Sequence, residues 1–354
     1  MLQWISESSF NICIAGTHGK TTTTSMIAHI LRHTGYGCNA FLGGIAANYN
    51  TNFWSSNNNV VVVEADEYDR SFLKLSPDVA IITSMDADHL DIYGTAEEVE
   101  NAFIQFSQKV KPGGCLITKY GLARAKEFTV EDQCTFSLND DRADVHVTNL
   151  KVENGSYRFD IVNQYWKVEN VVLHMGGLHN IENAIVAISI AKHLKIDDEK
   201  IKAAIADFKG VKRRFEYILK NENHVLIDDY AHHPTELKAL ISGVRSLFKD
   251  IKITLVFQPH LFSRTNDLAD DFAQSLSLAD EVILLPIYPA RELPMAGVTS
   301  NLLLDKMTIS NKQVLSKEAM LDWMKKNKPS LVVMAGAGDI DALLQPVKNI
   351  FIAN

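Results

Sequence analysis

The sequence predicts an α/β protein with two domains, each built on a mostly parallel sheet. Short apolar segments that favour buried strands, such as residues 10–15, 60–63 and 79–83, alternate with segments of helical apolar spacing, such as residues 22–34. This alternation is typical of a parallel sheet covered by helices on both faces. The same alternation returns in the last third of the chain, and 354 residues suffice for two or three domains.

The first block contains a capped helix and then changes character. Thr95 and Glu98 form a capping box that predicts a helix to about residue 110. Residues 144–174 contain β-prone runs around a turn at Asn154-Gly155, which predicts a small antiparallel annex. The same block has a further predicted strand at 115–118 and predicted helices at 178–194 and 198–208.

The second block is predicted to be a Rossmann-like α/β domain. The segment Gly-Val-Lys-Arg-Arg-Phe at 210–215 is the expected junction, which assigns residues 1–212 to the first domain and 213–354 to the second. The predicted elements of the second domain are strands at 225–227, 253–257, 282–285 and 331–334 and helices that include 234–248 and 267–276.

The composition of the chain indicates which kinds of partner and which cellular compartment to expect. The chain has 35 Lys and Arg against 43 Asp and Glu, a net charge of −8, so no nucleic-acid partner is expected. It has no apolar run of membrane-spanning length and no secretory leader, which predicts neither a membrane partner nor export. Four scattered cysteines are typical of reduced thiols and predict a cytoplasmic protein. The oligomeric state is left open.

A glycine-containing loop follows the first predicted strand and opens a helix. It reads Gly16-Thr17-His18-Gly19-Lys20-Thr21, with Thr22 next. Glycines let backbone N–H groups face phosphates, and a helix N-terminus favours anions. Lys20 would neutralise terminal phosphates, and the Thr21 hydroxyl would bind Mg²⁺. The central domain is therefore predicted to be of the P-loop type, although the spacing is shorter than usual and a plain strand–helix turn is the alternative.

Acidic and imidazole side chains follow the next two predicted strands. Glu64 directly follows residues 60–63, and His89 lies in the acidic segment 86–91. Ligands bind at the carboxyl ends of strands in open α/β sheets. A carboxylate there can hold a nucleotide-bound Mg²⁺, and neutral imidazole is a common metal ligand. The sequence thus predicts Thr21, Glu64 and His89 as metal ligands, with solvated surface groups as the alternative.

Several longer segments carry a family resemblance. The chain resembles the Mur ligases, ATP-dependent enzymes that form amide bonds in peptidoglycan assembly. Within that family it is most similar to the branch that joins L-alanine to UDP-N-acetylmuramate through an acyl phosphate. The segments that carry the resemblance occur in one order: GTHGKTTTT, VVVVEADEYDRSF, TSMDADHLDIYG, GLHNIENAIVAI, GVKRRFE, DDYAHHPTEL and VFQPHLFSRT.

The resemblance implies ATP and Mg²⁺ as cofactors and assigns roles to particular residues. Lys20, Glu64, His89 and Arg264 are the expected catalytic residues. The residues expected to bind ATP lie in the loop and at four further positions: Gly16, Thr17, His18, Gly19, Lys20, Thr21, Thr22, Asn180, Asn183, Arg214, Asp229 and Tyr230. Without the resemblance, Asn180 and Asn183 could equally be a solvent-facing helix stripe.

The incoming amino acid is expected to bind in the second domain. The resemblance places His232, His260 and Arg264 around it, and a guanidinium is a natural clamp for a carboxylate. Many relatives have arginine where this chain has Leu261, so the clamp is expected to depend more on Arg264. Domain closure is expected around residues 210–214, and His233 could be merely structural.

Family members also begin with a UDP-binding domain, which this chain is expected to lack. Two alternatives to the alanine-adding activity therefore stay open: a ligase that recycles tripeptide onto UDP-N-acetylmuramate, and a truncated, non-catalytic ATP-binding module. A dehydrogenase using the Gly336-Ala337-Gly338 turn is a weaker possibility, because the turn lies too near the chain end for a full βαβ unit.

Overall fold

The computed structural model describes residues 7–86, 90–153 and 155–353, without the side chains of Leu90 and Asp91. These residues divide into two compact units, 1–211 and 212–354. His89 and Asn154, which the sequence placed in a metal site and a hairpin turn, lie outside the described residues. Within the described residues, no helix is long and apolar enough to cross a membrane.

Unit 1 is built on a ten-stranded sheet in the order β10-β9-β8-β7-β6-β5-β1-β4-β2-β3. Its strands are β1 (Phe10–Ala15), β2 (Asn39–Ala46), β3 (Thr51–Trp54), β4 (Val60–Glu64), β5 (Val79–Ile82), β6 (Cys115–Lys119), β7 (Asp132–Ser137), β8 (Val145–Glu153), β9 (Ser156–Asn163) and β10 (Trp166–Leu173). Its helices are α1 (Lys20–His33), α2 (Leu90–Tyr93), α3 (Ala96–Ser107), α4 (Leu178–His193) and α5 (Asp198–Asp207).

The antiparallel strands β8, β9 and β10 extend the main sheet rather than forming a separate layer. The link is β7, which pairs in parallel with β6 on one side and with β8 on the other. The sequence analysis missed β7 because its burial is weak and its residues lack a long apolar run. The predicted annex is therefore continuous with the central sheet.

The core of unit 1 is formed by apolar side chains of the central strands and α3. Alternate residues of β1 and β4, such as Cys13 and Val63, pack in one cluster with Phe72, Phe103 and Phe106. The ring of Phe72 stacks on Phe106 at 5.1 Å and meets Phe103 edge-on. On α1, Met26, Ile27 and Ile30 are buried, and α1 packs against α4 and α5. This packing fixes the start of α1 directly above the end of β1.

Unit 2 is built on a six-stranded sheet in the order β11-β12-β16-β13-β14-β15, parallel except for β11 against β12. Its strands are β11 (Glu216–Lys220), β12 (Val225–Asp229), β13 (Thr254–Phe257), β14 (Glu281–Leu284), β15 (Lys312–Val314) and β16 (Leu331–Ala335). Its helices are α6 (Pro234–Leu247), α7 (Phe262–Asp267), α8 (Ala269–Leu276), α9 (Ser300–Lys306), α10 (Lys317–Asn327) and α11 (Leu344–Ile352).

All four cysteines are free thiols. Cys13, Cys38 and Cys115 are buried and Cys134 is half-buried. Burial raises the pKa of each of these thiols, to about 12 for Cys38. They are therefore protonated core groups rather than reactive thiolates.

Candidate functional site

The loop between β1 and α1 requires glycine at two positions for different reasons. Gly16 has φ 131°, and a Cβ there would lie 2.1 Å from Thr83 Oγ1, so the end of β5 leaves no room for a side chain. Gly19 has φ 84° and caps the N-terminus of α1. Left-handed backbone of this kind favours glycine. The loop therefore holds a conformation in which its backbone leads directly into the helix N-terminus.

The loop is also tied to the segment that follows β5. The hydroxyl of Thr17 donates to the carbonyl of Asp86 at 2.8 Å, and the backbone N–H of His18 donates to Ser84 Oγ at 2.8 Å. The Thr83 hydroxyl donates to the His18 carbonyl. Residues of two neighbouring strand ends thus hold the loop in place before any ligand arrives, which lowers the entropy that binding would cost.

Lys20 reaches back over the loop to a buried carboxylate. Its Nζ lies 2.9 Å from the carbonyl oxygen of Gly16 and 2.7 Å from Glu67 Oε1. The side chains of Lys20 and Glu67 are 12% and 2% exposed. Sequence analysis did not assign Glu67 a role; the available signal was a second acid three residues after Glu64, in the same strand-end segment.

Two oxygen-bearing side chains meet beside the loop, as the predicted metal site requires. Thr21 Oγ1 donates to Glu64 Oε1 at 2.9 Å, and the backbone N–H of Gly43 donates to Glu64 Oε2 at 2.8 Å. A Cβ on Gly43 would lie 2.3 Å from that carboxylate, so glycine gives Glu64 its space. Among the described residues, no group of three or more His, Cys, Asp and Glu side chains could hold a metal ion by itself.

Asn180 and Asn183 face the loop helix rather than solvent. Asn180 Nδ2 donates to the carbonyl of Gly176 at 2.6 Å, and Asn183 Nδ2 donates to Asn180 Oδ1 at 3.0 Å. Asn183 Oδ1 in turn accepts from Thr23 Oγ1 on α1 at 2.9 Å. Both asparagines are buried, so the alternative of a solvent-facing stripe is wrong. This hydrogen-bonded row joins the start of α4 to the first turn of α1, beside the buried Thr22.

In unit 2, Asp229 organises the end of β12. Its carboxylate accepts from the backbone N–H groups of Phe215 at 2.8 Å and Ala231 at 2.7 Å. Burial raises the pKa of Asp229 to about 6, while these two hydrogen bonds oppose the shift. Arg214 and Tyr230 are exposed on either side of this turn. Asp229 thus links the residue after Arg214 to the residue after Tyr230, which keeps the two chain segments next to each other.

Arg213, to which the sequence analysis gave no role, joins the Tyr230 turn to residues 336–338. Its guanidinium donates to the carbonyls of Gly336 at 2.5 Å and Gly338 at 3.4 Å and lies 5.0 Å from the Tyr230 ring centroid. Its own carbonyl accepts from the N–H of Tyr230 at 2.7 Å. No sequence signal separated the two adjacent arginines, because only tertiary contacts distinguish them.

Asp228 is a fully buried acid beside Arg213. Neither carboxylate oxygen has a hydrogen-bond partner among the described residues, and Arg213 Nε is 3.7 Å away. Burial raises the pKa of Asp228 to about 7, although Arg213 opposes the shift. An acid that binds its proton more tightly in the folded state loses stability as pH rises from its unfolded pKa, near 4, to its folded pKa.

We therefore expect Asp228→Asn to make the free energy of unfolding less dependent on pH. At pH 3 the variant and the wild type should have similar stability, because Asp228 is then protonated in both the folded protein and the unfolded chain. At pH 8 the variant should be more stable, by up to about 4 kcal/mol from the shift of three pKa units. Urea unfolding at both pH values measures this, and an equal loss of stability at both would contradict it.

His232, His260 and Arg264 come together in unit 2, in the segments that follow β12 and β13. The rings of His232 and His260 are 6.2 Å apart, and His260 stacks on Tyr288 at 5.7 Å. Burial, Arg264 and His232 lower the pKa of His260. Arg264 Nη1 is buried without a hydrogen-bond partner among the described residues. A buried guanidinium nitrogen without an acceptor is suited to binding an anionic ligand.

His232 and His233 play different structural parts. His232 Nδ1 lies 2.9 Å from the carbonyl oxygen of Tyr230, which can only accept, so Nδ1 carries the proton and Nε2 the lone pair in the neutral ring. His233 Nδ1 accepts from Thr235 N, and Glu236 accepts from the N–H of His233, which completes a capping box at α6. His233 is therefore a helix cap.

Each unit of the chain matches a known domain family. Residues 14–191 match the Mur ligase middle domain, and residues 213–338 match the Mur ligase glutamate ligase domain. A UDP-N-acetylmuramate–L-alanine ligase of Cytophaga hutchinsonii is 47% identical over 98% of this chain and 75% of its own. One from Flavobacterium johnsoniae is 46% identical over 99% of this chain and 76% of its own.

Solved structures give the same result. The UDP-N-acetylmuramate–alanine ligase of Thermotoga maritima superposes with a TM-score of 0.77 at 26% identity, covering 97% of this chain and 75% of that one. A murein peptide ligase from Psychrobacter arcticus has a TM-score of 0.60 at 22% identity, covering 99% and 80%, and supports the fold alone. The two domain matches and the identity along nearly the whole chain place the protein in one family: it belongs to the Mur ligases.

Proposed function

We propose that this protein joins L-alanine to the lactyl carboxylate of UDP-N-acetylmuramate, using ATP, in peptidoglycan precursor synthesis. The near full-length identity to relatives named for this activity supports the assignment. The structural observation that carries it is the group formed by Lys20, Thr21 and Glu64 at one sheet edge of unit 1, which has the donors and acceptors that a nucleoside triphosphate with Mg²⁺ needs. The buried free thiols are consistent with a cytoplasmic enzyme.

The nucleotide phosphates are proposed to bind at the loop of unit 1. Lys20 and the backbone amides of the first turn of α1 would bind phosphate oxygens. Thr21 and Glu64 fit a Mg²⁺ site because both present hard oxygen atoms, 2.9 Å apart. When bound there, Mg²⁺ would offset charge on the phosphoryl group. His89 stays the proposed ligand of a second Mg²⁺.

Unit 1 and unit 2 each contain residues that we propose as contacts for the adenosine moiety. Asn180 and Asn183 are the candidates for the base, and Asn183 also accepts a hydrogen bond from Thr23 Oγ1 on α1 and donates one to Asn180 Oδ1. In unit 2, Asp229 is the proposed ribose contact and Tyr230 the neighbour of the base. Arg214 is exposed and does not make the contacts described for Arg213, so its guanidinium can bind a phosphate.

The amino acid is proposed to bind at Arg264. The L-alanine carboxylate would satisfy the buried Nη1 of Arg264, which has no acceptor among the described residues. The lowered pKa of His260 keeps that ring neutral at pH 7, so it adds no charge of its own to the pocket. A neutral ring beside a guanidinium leaves the carboxylate as the natural counter-ion of Arg264.

The proposed reaction has two steps, phosphoryl transfer and amide formation. A carboxylate oxygen of the lactyl group attacks the γ-phosphorus of ATP, the bond to the β-phosphate oxygen breaks, and an acyl phosphate and ADP form. The neutral amine of L-alanine then attacks the acyl carbon, phosphate leaves with the C–O bond electrons, and an amide remains. Lys20 would stabilise negative charge on the transferring phosphoryl group. His232 Nε2 is proposed as the base that takes a proton from the alanine ammonium and so supplies the neutral amine, and the proton that this amine loses on attack leaves with the phosphate.

We expect His232→Asn to lower kcat/KM for L-alanine about a hundredfold at pH 7, the typical contribution of a general base. The loss should shrink as pH rises, because more of the alanine is then already present as free amine. The pH profile of alanine-dependent phosphate release measures this. His233→Asn is the matched control, because asparagine also caps helices and the profile should not change. Parallel profiles for wild type and His232→Asn would remove His232 from proton transfer.

The proposed function is tested by phosphate release with ATP, Mg²⁺, UDP-N-acetylmuramate and L-alanine, glycine, L-serine or tripeptide. The proposal predicts release that requires both substrates and is greatest with L-alanine. Greatest release with tripeptide would instead identify a recycling ligase. ATP binding without release under any combination would identify a non-catalytic nucleotide-binding module.

A further inference from the structure

The Lys20 ammonium is held by two protein oxygens. One contact is the carbonyl of Gly16 within the loop, and the other is Glu67 Oε1 at 2.7 Å, from the segment after β4. An ammonium has three N–H donors. Two donors are therefore used within the protein, and one remains for a ligand in the loop. Glu67 decides which direction that third donor takes.

Glu67 is held in place by its own backbone. The carbonyl of Glu67 accepts from the Tyr93 hydroxyl at 2.6 Å and from the N–H of Arg70 at 2.9 Å. Tyr93 is buried, and the Arg70 guanidinium lies 4.7 Å from its ring centroid. The backbone of Glu67 is therefore held in place, and its carboxylate reaches Lys20 from this fixed backbone position.

Only one of the two carboxylate oxygens of Glu67 has a hydrogen-bond partner among the described residues. Its side chain is 2% exposed, and Oε2 is buried without a hydrogen-bond partner there. A buried carboxylate is costly to keep unless it is paired. Lys20 is its ion-pair partner, so the fold keeps this charge in the interior in order to hold the lysine.

We infer that Glu67 is a positioning residue for Lys20 during phosphoryl transfer. The inference rests on the proposed function, because Lys20 must bind the phosphates of ATP. A lysine side chain has a flexible four-carbon stem, and fixing it beforehand spares the transition state the entropy of ordering it. The negative charge of Glu67 repels the ATP triphosphate, which offsets any gain in ATP affinity. The effect of Glu67 should therefore appear in kcat rather than in the Kd for ATP.

The test uses the full chain with Glu67→Ala, Glu67→Gln and, as a matched control, Asp66→Asn, an exposed acid one residue away. We expect Glu67→Ala to lower kcat for ligation about tenfold or more, the typical effect of losing a charge-assisted hydrogen bond, while the Kd for ATP changes less than about threefold. Glu67→Gln keeps an oxygen that can accept from Nζ and should recover most of kcat. Asp66→Asn should match the wild type.

A structural role is separated by a double-substitution cycle on kcat. If Glu67 acts through Lys20, Glu67→Ala lowers kcat when the lysine is present and has no effect on the residual kcat in a Lys20→Ala background. Unchanged kcat in Glu67→Ala, or an equal loss of kcat with and without Lys20, would overturn the inference while leaving the proposed function intact. Absence of ATP binding by the wild type would overturn both. Urea midpoints of Glu67→Gln and the wild type confirm that folded proteins are compared.

Discussion

Replacing Lys20 with alanine is expected to abolish ATP turnover, with a loss of about a thousandfold or more. The Lys20 ammonium lies over the loop between β1 and α1, 2.9 Å from the carbonyl oxygen of Gly16. Without it, negative charge on the transferring phosphoryl group loses its protein counter-ion. Phosphate release in the presence of UDP-N-acetylmuramate and L-alanine measures the effect.

Loss of folding must be separated from loss of chemistry in this variant. Lys20→Ala leaves the buried Glu67 carboxylate without its cation, which by itself costs stability. The double variant with Glu67→Gln removes that charge and should fold but stay inactive. Lys109→Ala, an exposed lysine of the same unit, is the control and should keep full activity. Normal turnover in folded Lys20→Ala would rule out the phosphate-loop assignment.

Replacing Arg264 with alanine is expected to raise the KM for L-alanine about a hundredfold, with little change in ATP affinity. The guanidinium is the proposed partner of the amino-acid carboxylate, and truncating one member of a buried charged pair costs about 2–5 kcal/mol. Arg264→Lys should recover little, because lysine cannot form two parallel hydrogen bonds to a carboxylate. Saturation curves for L-alanine at fixed ATP measure both variants.

A second arginine in unit 2 provides the control for this experiment. Arg245 already pairs with Asp280 at 2.7 Å and takes no part in the proposed pocket. Arg245→Ala should leave the KM for L-alanine unchanged and alter stability only slightly, since exposed ion pairs contribute little. If Arg264→Ala also showed a normal dependence on L-alanine, the carboxylate would have to bind elsewhere.

The parts of the site that the sequence predicts are those whose geometry is local. The loop from Gly16 to Thr21 follows from a strand, two glycines and a helix start in direct succession. Glu64 follows because the end of an apolar strand marks the ligand-binding edge of a parallel sheet. In both cases the neighbours along the chain are also the neighbours in space.

The parts that sequence analysis missed depend on distant contacts. Glu67 gains its position from Tyr93, and Arg213 gains its role from the carbonyls of Gly336 and Gly338. Neither side chain differs in type from adjacent acids or arginines, so no local pattern distinguishes it. The continuity of the annex with the main sheet likewise depends on one weakly apolar strand, β7, pairing on both sides.

The most direct test of the central claim follows an oxygen atom through the reaction. UDP-N-acetylmuramate labelled with oxygen-18 in both lactyl carboxylate oxygens is incubated with the protein, ATP, Mg²⁺ and L-alanine, and phosphate and product are analysed by mass spectrometry. The acyl-phosphate route predicts that each released phosphate carries one label and that the product gains one alanine residue. Unlabelled phosphate without an alanine product would mean that ATP is simply hydrolysed, which would contradict the proposed ligase.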